Sequence, residues 1–137
     1  MALNVGVIGY SMQSFNEKQA NKLIKDAFDE ISEEASKNIC VISGLTSLGI
    51  PKLAYEEADR RCWKTVGIAC EKAYDYELYP VDEKQIVGKD WGDESETFLS
   101  EIDILVCIGG GKQSKSELKT AKDKGIKTYF YELESED

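Results

Sequence analysis

Three consecutive glycines, Gly109, Gly110 and Gly111, are followed by Lys112, Gln113 and Ser114, with Glu117 one helical turn further on. Glycine has no Cβ, so the backbone can turn sharply there and a ligand can come close to main-chain N–H groups. A helix that starts just beyond such a turn directs unpaired N–H groups and partial positive charge outward, which suits a phosphate. Ser114 and Glu117 have capping-box spacing, which predicts a helix beginning near Ser114. The same side chains admit two roles each. Ser114 is a phosphate ligand or an N-cap; Glu117 is a general acid/base or ribose-binding carboxylate, or the partner that closes the cap. Lys112 offers a counter-charge, or is simply solvated.

The glycines follow Ile104, Leu105, Val106, Cys107 and Ile108, a short unbroken apolar run of the kind found in strands covered on both faces. The pattern of strand, glycine turn and helix recurs along the chain. Residues 4–9 form a first strand ending at Gly9, Tyr10 and Ser11. Ser14 and Glu17 again have capping-box spacing, and the helix after them carries Ala20, Leu23, Ile24, Ala27, Phe28 and Ile31 on one face. Residues 39–43 form a second strand that runs into Gly44, Thr46, Ser47 and Gly49; Pro51 suits the first turn of the helix that follows, to about Cys62. A third strand spans 65–70. The segment 71–92 is hard to read, with tyrosines, Trp91 and one short strand near 85–87. Asp93 and Glu96 are spaced to cap a short helix bearing Phe98 and Leu99. After the strand at 104–108, a helix to about Lys124, a turn at Gly125 and a strand at 128–131 complete the pattern.

Strands alternating with helices predict an α/β fold: a Rossmann-like three-layer α/β/α domain with a parallel sheet of order about 3-2-1-4-5. In that order the first and fourth strands are neighbours, and a crevice opens at their carboxyl ends. The turns at Gly9 and at Gly109–Gly111 meet there, with the Gly44 loop one strand away, so a small-molecule site is expected at this rim. Ser11, Gln13, Thr46 and Ser47 are candidates to line it. Tyr10 either stacks on a base or sugar or covers the end of the sheet. Trp63 and Trp91 read as packing or interface residues. The expected domain is 1–131, with 132–137 an acidic, fraying tail.

Composition narrows the chemistry. The formal charge is −9 and no basic stripe is present, which argues against duplex nucleic acid and anionic membrane surfaces as partners. No apolar run has membrane-spanning length and no signal-peptide pattern occurs, so a cytoplasmic protein is expected. Cys40, Cys62, Cys70 and Cys107 lie in apolar surroundings without C-x-x-C spacing and read as reduced, buried thiols. There is no histidine. Histidine triads, histidine-ligated zinc and a histidine base are therefore excluded; no metal and no resident cofactor are expected.

Three patches resemble the SLOG superfamily of Rossmann-like nucleotide-binding proteins, which includes LOG enzymes, molybdenum-cofactor carrier proteins and DprA-type domains. Val7-Ile-Gly-Tyr-Ser11 is similar to its first strand and turn. Ser43-Gly-Leu-Thr-Ser-Leu-Gly-Ile50 is similar to its second glycine loop. The stretch from Ser100 to Glu117 is similar to its signature of an aspartate, an apolar strand and GGxGTxxE. Two departures stand out. Gln113 replaces the glycine of the G-T pair, and Glu94 falls where LOG enzymes carry an arginine that acts with the glutamate. A carboxylate there cannot do an arginine's work on a phosphate. The resemblance thus implies a module that binds a nucleotide or ADP-ribose-like phosphorylated ligand, as sensor, carrier or sequestering protein. It holds the ligand through Gly9, Tyr10, Ser11, Gly44, Thr46, Gly109, Gly110, Gly111, Lys112, Gln113 and Ser114. Two alternatives stay open: a LOG-like nucleoside monophosphate N-glycosidase using Glu117, and an oligomeric scaffold with a vestigial crevice. The superfamily also implies a homodimer or larger homo-oligomer, for which Phe98, Leu99 and the tyrosine-rich segment are candidate interface residues.

Overall fold

A computed structural model describes residues 2–35 and 38–136; Met1, Ser36, Lys37 and Asp137 lie outside the described residues. The strands are β1 (Ala2–Gly9), β2 (Asn38–Ser43), β3 (Lys64–Ala69), β4 (Glu83–Ile86), β5 (Ile104–Ile108) and β6 (Lys127–Tyr131). The helices are α1 (Glu17–Glu34), α2 (Gly49–Arg60), α3 (Ser95–Glu101) and α4 (Lys112–Asp123), and Glu71–Asp75 forms a short 3₁₀ turn. All strands pair in parallel in the order β4-β3-β2-β1-β5-β6. The expected five-strand order is contained in this sheet. The addition is β4, the short strand in the hard-to-read segment, which extends the edge beyond β3.

Alternating side chains send β-strand residues into two separate cores. Val5, Val7, Val41, Val106 and Ile108 pack under α1 and α2, against Ile24, Phe28 and Tyr55. Ile8, Ile42, Ile68, Leu105 and Cys107 pack under α3 and α4, against Phe98, Leu99, Ile102 and Ala121. Phe98 and Leu99 are each only 4% exposed, so they are core residues and not the interface that the scaffold reading needs. They sit close to the sheet because Gly6 has no side chain: a Cβ there would lie 2.8 Å from both Phe98 Cζ and Ile102 Cγ2. This close seat holds α3 over β1 and brings the start of α3 to the carboxyl end of the sheet.

The helix starts differ from the spacing-based expectation. Asn16, not Ser14, caps α1, its Oδ1 accepting the Gln19 N–H at 2.9 Å. Asp93 closes the preceding turn instead of α3: its Oδ2 accepts the N–H groups of Lys89 and Asp90, each at 3.0 Å. The capping box at Ser114 is absent. α4 starts two residues earlier, with Gly111 at the N-cap and no side-chain cap. Close packing takes the Ser114 hydroxyl elsewhere, to donate to Gly9 O at 3.3 Å. Other departures are local. Cys62 is exposed at φ 61°, while Cys40, Cys70 and Cys107 are buried; all four are free thiols. The residues after β6 do not fray as a unit: Leu133 is buried and the Glu136 N–H donates to Ser14 O at 2.8 Å.

Two buried hydroxyls fix the carboxyl ends of the central strands. Ser43 Oγ donates to Val7 O at 2.6 Å, tying β2 to β1. The Tyr55 hydroxyl donates to Gly44 O at 2.7 Å, with Val66 O at 3.0 Å sharing the proton. Tyr55 is fully buried, and burial pushes its phenol well above the ordinary range. Tyr55→Phe leaves both carbonyls short of a donor, which is expected to cost about 1–3 kcal/mol. The urea midpoint should fall with an unchanged slope; an unchanged midpoint would show that the hydroxyl holds nothing.

Candidate functional site

The sheet reverses its direction of growth between β1 and β5. From β1 the chain builds outward through β2, β3 and β4; from β5 it builds the other way to β6. Gly9 and Ile108 pair at the carboxyl ends of these neighbours. The helices that follow therefore diverge and leave a crevice. A cavity of about 230 Å³ occupies it.

The turn after β5 comes very close to β1. Gly110 has φ +107°, and a Cβ there would lie 2.5 Å from Ser114 Cβ and 3.4 Å from Gly9 Cα. A Cβ on Gly9 would collide with Ile108 O and lie 2.7 Å from Ile50 Cγ1. Only glycine permits this crossing, and the crossing delivers the first turn of α4 to the cavity. A second link fixes the other wall: Ile50 N–H donates to Tyr10 O at 2.7 Å, joining the β1 turn to the start of α2.

Ten of the residues singled out from the sequence line the cavity: Gly9, Ser11, Gln13, Gly44, Thr46, Gly111, Lys112, Gln113, Ser114 and Glu117. Tyr10, Gly109 and Gly110 do not; they frame it. The Tyr10 ring stacks on Phe15 with centroids 6.0 Å apart and lies over Gly109, so it covers the end of the sheet. Gly109 N–H is engaged with Tyr131 O at 2.9 Å. Ser47 lies outside the cavity, its N–H donating to Glu77 O at 2.8 Å.

The α3 side of the cavity is rich in acceptors. Glu117 is 8% exposed and accepts from Ser95 Oγ at 2.7 Å. Burial holds its carboxyl above the usual range; hydrogen bonds from Ser95 and Gln113 oppose this, and Glu94 adds to it. Beneath it, burial and the Glu117 charge push the Cys107 thiol up to about 12, so this sulfur is no nucleophile. Glu94, at the residue before α3, is 7% exposed. Its Oε1 accepts from Gln113 Nε2 at 3.0 Å and from Gly92 N–H at 3.4 Å. Gln113, the departure from the resembled signature, is thus the direct partner of Glu94, the other departure.

Glu94 and Trp91 are lining residues whose place the sequence reading missed. Glu94 stood out only as a misplaced acid. Trp91 read as packing, yet it is 42% exposed and lines the cavity. It sits at the end of the hard-to-read segment, which is closed on itself by Glu71 N–H to Gly88 O at 3.0 Å and by Lys72 to Asp90 at 3.1 Å, and is bound to the domain by Tyr79 N–H to Leu45 O and Val87 N–H to Ala69 O, each at 2.8 Å. Tyr76 stands beside it, ring centroids 6.2 Å apart, with its hydroxyl 3.8 Å from Met12 Sδ. Aromatics clustered with glycine and proline at the end of a long excursion are the one signal that pointed there. Trp63, by contrast, packs on Phe28 at 5.3 Å. Among the described residues no cluster of acids and cysteines is arranged to hold a metal ion, and no helix is long and apolar enough to cross a membrane.

No protein-family model matches the chain, and no curated protein matches it. Solved structures do. The molybdenum cofactor carrier protein of Chlamydomonas reinhardtii is 20% identical over 95% of this chain and 76% of its own, with a TM-score of 0.75. The molybdenum cofactor binding protein of Rippkaea orientalis, a phototrophic bacterium, is 19% identical over 96% of this chain and 77% of its own, with a TM-score of 0.78. The chain shares the Rossmann-like fold of these carrier proteins. That is the fold which the resemblance of its three glycine patches implies.

The buried acid gives a pH test. A carboxyl held above its unfolded value favours the protonated native state, so Glu117 opposes folding above its native pKa and ceases to do so as pH falls toward the ordinary glutamate range. Glu117→Gln keeps an acceptor for Ser95. It is expected to raise the urea midpoint at neutral pH, with the gain shrinking as pH falls toward about 4.5. A gain that does not change with pH would contradict this.

Proposed function

We propose that the protein binds a compact phosphorylated ligand of nucleotide type in this crevice. The phosphate lies at the first turn of α4, on the main-chain N–H groups that follow Gly111. The observation that carries the reading is that α4, a helix of 12 residues, opens on the cavity with glycine at its N-cap and no side chain satisfying its first N–H groups. Such an end attracts an anion through both its donors and its dipole. Gln13 Nε2 lies beside Gly111, 3.3 Å from where a Cβ would stand, and adds a donor; Lys112 adds charge. These local donors offset a protein whose net charge of −9 repels anions at long range. Trp91 supplies a flat apolar surface for a ring, and Glu117 an acceptor for a ribose hydroxyl.

A cavity of about 230 Å³ is a little below the range of about 300–1,000 Å³ usual for drug-sized ligands. This favours a mononucleotide over a dinucleotide. That the structural neighbours are named as binding or carrying a molybdenum cofactor supports a carrier or sensor role for this module. A second reading, hydrolysis of an N-glycosidic bond, draws on the raised carboxyl of Glu117 as a general acid. Glu94 weighs against it, since it stands where the resembled enzymes use arginine.

Calorimetry with 5′-mononucleotides, the corresponding nucleosides and ADP-ribose tests the proposal. At least one mononucleotide should bind, its nucleoside at least about tenfold more weakly, which is about 1.4 kcal/mol for the phosphate. Binding should change the fluorescence of Trp91. A folded sample that binds none of these probes overturns the reading. Release of free base in the same mixtures would establish the hydrolytic one.

A further inference from the structure

Glu94 carries one feature that the phosphate reading does not use. Its Oε2 is buried and, among the described residues, has no hydrogen-bond partner. A buried charged oxygen left without a donor is costly. No ion pair among the described residues reaches it; the hydrogen bonds of the side chain are on its other oxygen, which accepts from Gln113 Nε2 and Gly92 N–H. The side chain therefore cannot swing to water without giving up both bonds, and it lines the cavity. Beside it Glu117 presents a second carboxylate, held by Ser95.

We propose that Glu94 is the residue that reads the head of the ligand: its free oxygen accepts from an N–H donor, so the α3 side of the cavity takes an amino-substituted ring. The inference rests on the nucleotide-type reading of the same site. Its physical basis is complementarity by sign. The α4 side offers N–H groups, the Gln13 amide and Lys112, and suits the phosphate. On the α3 side Gly92 N–H, Gln113 Nε2 and Ser95 Oγ are already given to the two carboxylates, so the unfilled group there is an acceptor, Glu94 Oε2. A second phosphate, a carboxylate or a bare carbonyl placed there meets like charge or acceptor against acceptor, whereas an amine completes an unfilled acceptor. A site built around a buried polar group discriminates strongly against ligands that leave it unpaired. The ligand is thus oriented, phosphate to α4 and amine to Glu94, and the departure from arginine at this position becomes a specificity element.

The test uses two pairs of probes that differ only by an exocyclic amine: GMP with IMP, and AMP with purine riboside 5′-monophosphate. Calorimetry on the wild-type chain should show that the amine strengthens binding at least about tenfold in one pair, the scale of a charged hydrogen bond. Glu94→Gln keeps the size of the side chain. Its Oε1 can still accept from Gln113 and Gly92, so its amide nitrogen replaces Oε2 and meets the ligand amine donor to donor. In this variant the amine advantage should fall below about threefold or reverse. An amine advantage below about threefold in both wild-type pairs overturns the assignment, and so does an advantage that survives in Glu94→Gln. Since the wild-type pairs decide the first point, a poorly folded variant does not rescue it. If the amine-free nucleotides bind and the amine makes no difference, only this inference fails. If no mononucleotide binds, the nucleotide reading fails and takes this one with it.

Discussion

The structure depends on one close approach that only glycine allows. Where β1 ends and the chain turns out of β5, a Cβ on Gly110 would lie 3.4 Å from Gly9 Cα, and the first turn of α4 closes on the two glycines through Ser114. A methyl group on either glycine collides with its surroundings, and at Gly110 the positive φ excludes other residues as well. Because neither glycine has room for a Cβ, the start of α4 is held close to the switch point of the sheet, where it lines the space between diverging loops. A bulkier turn would push α4 outward and separate the donors from the crevice. Ser114 shows the same constraint: it is drawn down to the Gly9 carbonyl and gives up the cap that its spacing suggests.

The cavity that results has two chemical sides, which come from different parts of the chain. The donors come from the β1 turn and α4, elements of the regular Rossmann-like frame. The acceptors come from the residues around the start of α3, where Glu94 and Ser95 meet Gln113 and Glu117 across the crevice. Gly6 makes this possible at a distance, since its bare Cα lets Phe98 and Ile102 settle on β1 and bring α3 in. Burial, with the Glu94 charge beside it, raises the cost of ionising Glu117. A chain that keeps both carboxylates there is suited to a ligand that supplies hydrogens.

The frame was legible in the sequence because its signals are local and repeated. Unbroken apolar runs bounded by glycine gave the central strands, and the three-and-four spacing of Ala20, Ile24, Phe28 and Ile31 gave α1 and its buried face. The rim glycines at Gly9, Gly44 and Gly111 fell where strand order put them. Capping was misread at three helices. Asn16, two residues beyond Ser14, was the better cap, and at Asp93 and Ser114 the nearest partner was a turn or another strand. The acceptor side of the site was the least legible part. Trp91 and Glu94 belong to a segment without periodicity, and they reach the cavity through tertiary contacts: the parallel edge strand β4, the bridge of Thr46 to Leu78, and the turn closed by Asp93. No spacing rule encodes contacts of that kind.

The central claim is that main-chain donors at the start of α4 form an anion cradle. A crystal structure of the protein soaked with GMP tests it most directly. The expected result is a phosphate within about 3 Å of the N–H groups that open α4, with the base between Trp91 and Glu94. A nucleotide bound elsewhere on the surface, or one whose phosphate lies away from α4, would contradict it.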